Sequence, residues 1–232
     1  MITGDQLLDV FAAYNSQIWP MQIVAYLVGI TCLVLVIRKT RFFNQLVSVL
    51  LATLWLWVAF VFWLPSLLQG YTPAFVFIAI FLIQGLLILF NLVTSKLVFG
   101  VEKGIYTVIG WFFVLYSLLG YPLIGALLGR TYPHTPPFGL SPCPLVTFTF
   151  GLMLFTKPKA PKALLVLPFL YALTGFFWAA IGIIEDVGML ASGLFGGGSI
   201  WVRDSKPSTP QQLKPPIVST EPGWSLNLKD DN

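Results

Sequence analysis

Four side chains able to hold a metal ion or move a proton lie in the second half of the chain: His134, Cys143, Glu185 and Asp186. His134 is the only histidine and Cys143 one of two cysteines, and both fall in residues 130–144, RTYPHTPPFGLSPCP. That stretch carries five of the seventeen prolines. Proline presets the backbone angles, so the segment reads as a rigid loop. Cys143 stands at the mouth of an apolar helix starting near Pro144, where the positive helix end favours a thiolate. Imidazole, thiolate and carboxylate are metal-ligand types, and the topology derived below puts all four residues on one side. They could therefore converge on one outer metal-binding patch. The competing reading is a proline-braced loop packed on helix ends, since one His nine residues before one Cys is no recognised metal spacing. Without a Gly-rich phosphate loop, a Ser-His-Asp set or a zinc motif, neither an enzyme nor a resident cofactor is expected.

A second polar set is uncharged. Gln84 and Asn91 are seven residues apart and share a helix face, with Thr94 and Gln22 as partners at similar depth. Interhelical hydrogen bonding that fixes packing is the first reading, and a polar lining for a permeation path the second. Cys32 reads as a small apolar filler too deep to reach Cys143.

The elements that position these residues follow from composition. Hydrophobic residues make up 57% of the chain and charged residues 9%. A soluble surface needs roughly 25% charge, so most of this surface must face lipid. The apolar residues come in blocks, and crossing the hydrocarbon core takes about 20 of them. Ile18 to Ile37, Leu46 to Leu68, Pro73 to Ser95, Ile105 to Gly129 and Ala163 to Ile184 meet that length without one Asp, Glu, Lys or Arg. Pro144 to Thr156 and the glycine-rich Val187 to Val202 are shorter, each a short span or a re-entrant piece. The expected fold is all-α: a bundle of six to seven transmembrane helices over residues 18–202. Spans lacking Asp, Glu and His argue against a proton-coupled pump.

Basic residues alternate between loops. Arg38, Lys39, Arg41, Lys96, Lys103, Lys157, Lys159 and Lys162 fall on one side and Arg130 alone on the other. The positive-inside rule makes the first set cytoplasmic and the N-terminus non-cytoplasmic. It also favours a crossing by Val187 to Val202, which puts Arg203, Lys206 and Lys214 inside. Trp19, Trp63 and Trp201 sit near span ends as interfacial anchors do.

Residues 1–17 read as an amphipathic helix lying flat on the outer surface. Thr3 caps it, and Leu7, Leu8, Phe11 and Ala12 form a stripe opposite Asp5 and Asp9. Residues 203–232 turn polar and proline-rich and read as a disordered tail. Gly110, Ser117, Gly125 and Gly129 suit close helix contact, while Pro65, Pro122 and Pro168 kink or end their helices.

The stretches FAAYNSQIWP (residues 11–20), YPLIGALLG (121–129), TYPHTPPFGLSPCPLVTFTFGL (131–152) and EDVGM (185–189) resemble a bacterial family of integral membrane proteins catalogued only as a domain of unknown function. The likeness covers residues 1 to about 195 and implies a bacterial inner-membrane protein. Its members are sometimes labelled permeases, and it supplies no catalytic residue to carry over. Three functions compete. One is a small permease or channel-like protein for a solute or metal ion, working as a homo-oligomer if one bundle makes too narrow a pore. Another is a non-transporting subunit of a membrane complex, and the third a redox or metal-binding protein using His134 and Cys143. The lipid bilayer is the expected partner, and nucleic acid is not.

Overall fold

The computed structural model describes residues 4–94 and 97–205. The readings of Thr3, of Lys96 and of the tail beyond Ser205 lie outside these residues. The described chain is all-helical and contains no β-strand. In order it forms α1 (Gly4–Gln17), α2 (Met21–Arg38), α3 (Phe43–Leu68), α4 (Ala74–Thr94), α5 (Ile105–Leu127), α6 (Pro142–Met153), α7 (Ala163–Ala180) and α8 (187–205). Helices α2, α3, α4, α5 and α7 are long and apolar enough to cross a membrane. Each matches one of the long apolar blocks to within a few residues, because in lipid a helix alone satisfies every backbone group internally.

Helix α6 is different, for every one of its residues is buried. It is the core around which α5, α7 and α8 pack. Its Gly151 meets Gly110 of α5 so closely that a Cβ on either glycine would stand 3.0–3.1 Å from the other's carbonyl oxygen. Small residues permit this approach of two backbones. Ser117, from the same stripe, hydrogen-bonds the Pro144 carbonyl. Gly129 instead sits in open space at φ +76°, a helix end rather than a contact.

The bundle has two ends, each tied by polar contacts. At one, Asn44 accepts from the Phe99 N–H, and residues 98–100 pair with Phe155 and Lys157. Arg203 donates to the Leu154 carbonyl there, and Asp204 accepts from the Ala160 N–H at 2.8 Å. At the other end Arg130 donates to the Gly182 carbonyl and Tyr116 to that of Glu185. Helix α8 therefore runs the full height of the bundle. It continues through Ser205, where Arg203 and Asp204 clasp the chain after α6.

Two prolines leave the same mark. A π-helical turn, Val58–Trp63, ends two residues before Pro65, and another, Tyr116–Gly120, ends two residues before Pro122. Proline has no N–H and its ring crowds the carbonyl four residues back, so the preceding turn widens. The carbonyl that Pro122 leaves unpaired, that of Leu118, accepts from the Tyr26 hydroxyl at 3.0 Å. Pro168 lies inside α7 and leaves the Leu164 carbonyl, which accepts from Gln84 Nε2 at 2.9 Å. Gln84 thus supplies the donor that the proline lacks.

Four expectations change. Gln22 lies not at the depth of Gln84 but at the far end of α2, donating to the Asn15 carbonyl. Asn91 bonds within its own helix, to Leu87, and Thr94 to the Asn91 carbonyl. Helix α1 is docked on the bundle through Leu7, Phe11, Tyr14 and Asn15, whereas Leu8 and Ala12 are only half-buried. The stripe turns because Tyr14 donates to the Leu140 carbonyl and Asn15 to those of Pro133 and Thr135. Asp5 and Asp9 stay exposed on its far face. Finally, Trp19 and Trp201 are exposed as anchors would be, but Trp63 is buried among aromatic rings.

Candidate functional site

Beneath α1, at the Arg130 end of the bundle, lies a cavity of about 210 Å³. The α1 side chains Leu7 and Phe11 close one side of it, with Val10 at its edge. The π-helical turn of α3 contributes Phe62 and Trp63, the loop after α3 Tyr71, and α7 Tyr171 and Trp178. Pro142, Cys143 and Asp186 line it as well. The exposed or half-exposed Val10, Ser66 and Gln69 form the mouth, and the buried Cys143, Tyr171 and Asp186 the floor.

The lining is mostly aromatic, and its polar groups are few and uneven in partnership. Cys143 Sγ donates to Asp186 Oδ2 at 3.1 Å, and the Tyr171 hydroxyl lies within reach of the thiol. Asp186 Oδ1 has no hydrogen-bond partner, and neither has Trp63 Nε1. The Tyr121 hydroxyl lies beside the carboxylate yet makes no hydrogen bond of good geometry. A buried polar atom without a partner costs about 1–3 kcal/mol, so such atoms beside a cavity call for an occupant.

The neighbouring acids have opposite surroundings. Glu185 is 1% exposed, and its charge is met by Arg130 at 3.4 Å. Asp186 is 2% exposed and makes no ion pair among the described residues. Burial pushes its carboxyl up to about 7; the hydrogen bond from Cys143 pulls the other way, and the Glu185 charge adds to the rise.

The four residues singled out in the sequence do not form one ligand set. Cys143 and Asp186 meet, Glu185 turns to Arg130, and His134 is exposed on its loop. Among the described residues no group of three or more His, Cys, Asp or Glu could hold a metal ion. Nor is Cys143 placed as a thiolate. Its sulfur is buried and its S–H donates a hydrogen bond to a carboxylate, whose charge opposes the field of the helix end. Both cysteines are free.

The aromatic wall was invisible in the sequence as a site. Trp63, Tyr171 and Trp178 are scattered over two apolar blocks, where rings are common. The usable signal was Pro65, since a proline near the end of a long apolar block marks where the helix turn widens and redirects its side chains.

The profile of a family described as "Family of unknown function (DUF6064)" matches residues 4–209. No curated protein and no solved structure matches the chain.

Proposed function

The chain belongs to this family of unknown function, and from that premise we propose that it is a seven-crossing membrane protein that takes up a small solute in the pocket under α1, as a permease does. The carrying observation is the pocket itself: a cavity at one end of an apolar bundle, mostly hydrophobic, with two unpartnered polar atoms on its wall. Concave, apolar sites with a few fixed polar groups are how proteins bind small molecules.

Seven crossings rest on the five long helices plus α6 and α8, each of which has one end among the Arg130-side contacts and the other among the Lys157-side contacts. Helix α6 is short, about 18 Å at 1.5 Å per residue, and the buried loop residues 136–141 complete its path. The structure brings the segments bearing Arg41, Lys157 and Arg203 to one end, which supports that end as cytoplasmic and the pocket as facing outward.

We read a carrier rather than an open channel, because α6 fills the middle of the bundle. Access to the other side then requires the helices to move, and the π-helical turns before Pro65 and Pro122 are the flexible places for it. The test is uptake into proteoliposomes of a panel of small amphiphilic solutes, cationic, neutral and anionic. Uptake above protein-free vesicles, lost in Val10→Trp where the indole fills the mouth, supports the reading. A panel that neither enters nor raises the melting temperature of the purified protein overturns it.

A further inference from the structure

We propose that the pocket under α1 selects an organic cation, a small substituted ammonium, held by the aromatic wall and by Asp186. This inference rests on the solute-binding reading above and names the class of solute.

The wall presents Phe11, Phe62, Trp63, Tyr71, Tyr171 and Trp178 to one cavity of about 210 Å³. Ring faces carry negative potential, and a cation enclosed by several of them is attracted more strongly once water is excluded. Such a box favours ammonium groups over anions. The second observation is independent of the rings. Asp186 is buried, lines the same cavity, has one carboxylate oxygen without a partner, and lacks the countercharge that Arg130 gives Glu185. A buried acid without a cation beside a cavity is one half of an ion pair. Trp63 Nε1, likewise unpartnered on that wall, is a donor for a hydroxyl or carbonyl carried by the same molecule.

A protonated acid would bind a cation poorly, so affinity should fall with pH. The groups around Asp186 are Cys143, Tyr116, Tyr121, Tyr171 and Glu185, the last already paired with Arg130. Among these Asp186 itself has its carboxyl near 7, so the fall should come as pH drops through that value.

The experiment titrates the detergent-solubilised full chain with choline and with dimethylbutanol, its uncharged carbon isostere, following tryptophan fluorescence and calorimetric heat. Choline should bind roughly tenfold or more tightly than the isostere. Asp186→Asn should cut that preference to what the rings alone supply, Trp63→Phe should weaken choline only in part, and wild-type affinity for choline should fall below pH 7. A size-exclusion profile and melting curve matching wild type certify the Asn variant. Should it fail to fold, the wild-type pH titration decides alone, a flat profile overturning the proposal. Equal binding of choline and its isostere also overturns it and leaves the pocket as a solute site. No binding of choline, with a neutral or anionic panel member binding instead, has the same meaning. No binding of any solute ends both this proposal and the reading it rests on.

Discussion

The Cys143 thiol donates to Asp186 Oδ2 across 3.1 Å, joining the first turn of α6 to the 3₁₀ turn that leads into α8 through side chains forty-three positions apart. This contact is the one well-formed hydrogen bond that the buried carboxyl receives from a side chain, so its loss should be felt. Cys143→Ser retains a donor and should melt close to wild type. Cys143→Ala leaves both carboxylate oxygens without a good donor and should cost about 1–3 kcal/mol. Denaturation in a fixed detergent, followed by near-ultraviolet circular dichroism, compares the two. Equal stability of Ala and Ser would show the bond to be idle.

Stability should also depend on pH through Asp186. Its carboxyl is raised from 3.8 to about 7 by burial, so between these values the folded protein holds a proton that the unfolded chain releases. With more protons bound in the folded state, stability falls as pH rises through that window and levels off above 7. The full span corresponds to at most about 4 kcal/mol. Melting temperatures from pH 5 to 8 should decline in wild type more steeply than in Asp186→Asn. Parallel curves would mean that the carboxyl titrates normally.

How much of this was legible beforehand differs by element. The five long helices could be read from blocks of apolar residues, since block length against bilayer thickness is a one-dimensional test. Helix α8 is harder to read, because Gly196, Gly197 and Gly198 lower its hydropathy. For the site, the sequence marks His134, Cys143, Glu185 and Asp186 and leaves open one shared metal patch or a loop packed on helix ends. Which acid would find Arg130 depends on two side chains leaving a 3₁₀ turn in different directions, and no spacing rule encodes that. Burial of Trp63 was missed for a like reason: helix periodicity breaks at the π turn before Pro65. His134 was marked because it is rare, and rarity is not position.

The closest backbone approach between α5 and α6 gives a packing prediction. A valine at Gly151 would drive its Cβ to 2.7 Å from Val114 Cγ2 and 3.0 Å from the Gly110 carbonyl. Backbone on one side has nowhere to move, so Gly151→Val should destabilise by more than about 2 kcal/mol, and Gly110→Val likewise. Gly198→Ala, where nothing lies within 4 Å, is the control and should behave as wild type. Thermal melts of the three variants check it, and a tolerant Gly151→Val would refute the tight contact.

The orientation can be tested by impermeant thiol labelling. In a background of Cys32→Ala and Cys143→Ser, Thr72→Cys and Lys159→Cys place single thiols at exposed sites in the loops after α3 and after α6. With the pocket outward, Thr72→Cys should label in intact cells and Lys159→Cys only after lysis. The reverse pattern would turn the pocket toward the cytoplasm.

The hydrogen bond from Gln84 to Leu164 offers a test in which one variant repairs another. Pro168 lacks the N–H that would pair with the Leu164 carbonyl, and Gln84 Nε2 reaches across from α4 to supply it. Gln84→Leu should leave that carbonyl unpaired in an apolar surrounding and cost about 1 kcal/mol, the scale of such bonds in membranes. Pro168→Ala restores a donor within α7, so in that background the Gln84 change should cost little. The difference between the two backgrounds, measured by reversible unfolding in mixed micelles, isolates the pair. If Gln84 instead lined a solute path, its removal would lower uptake equally with and without Pro168, and the two changes would be additive in stability.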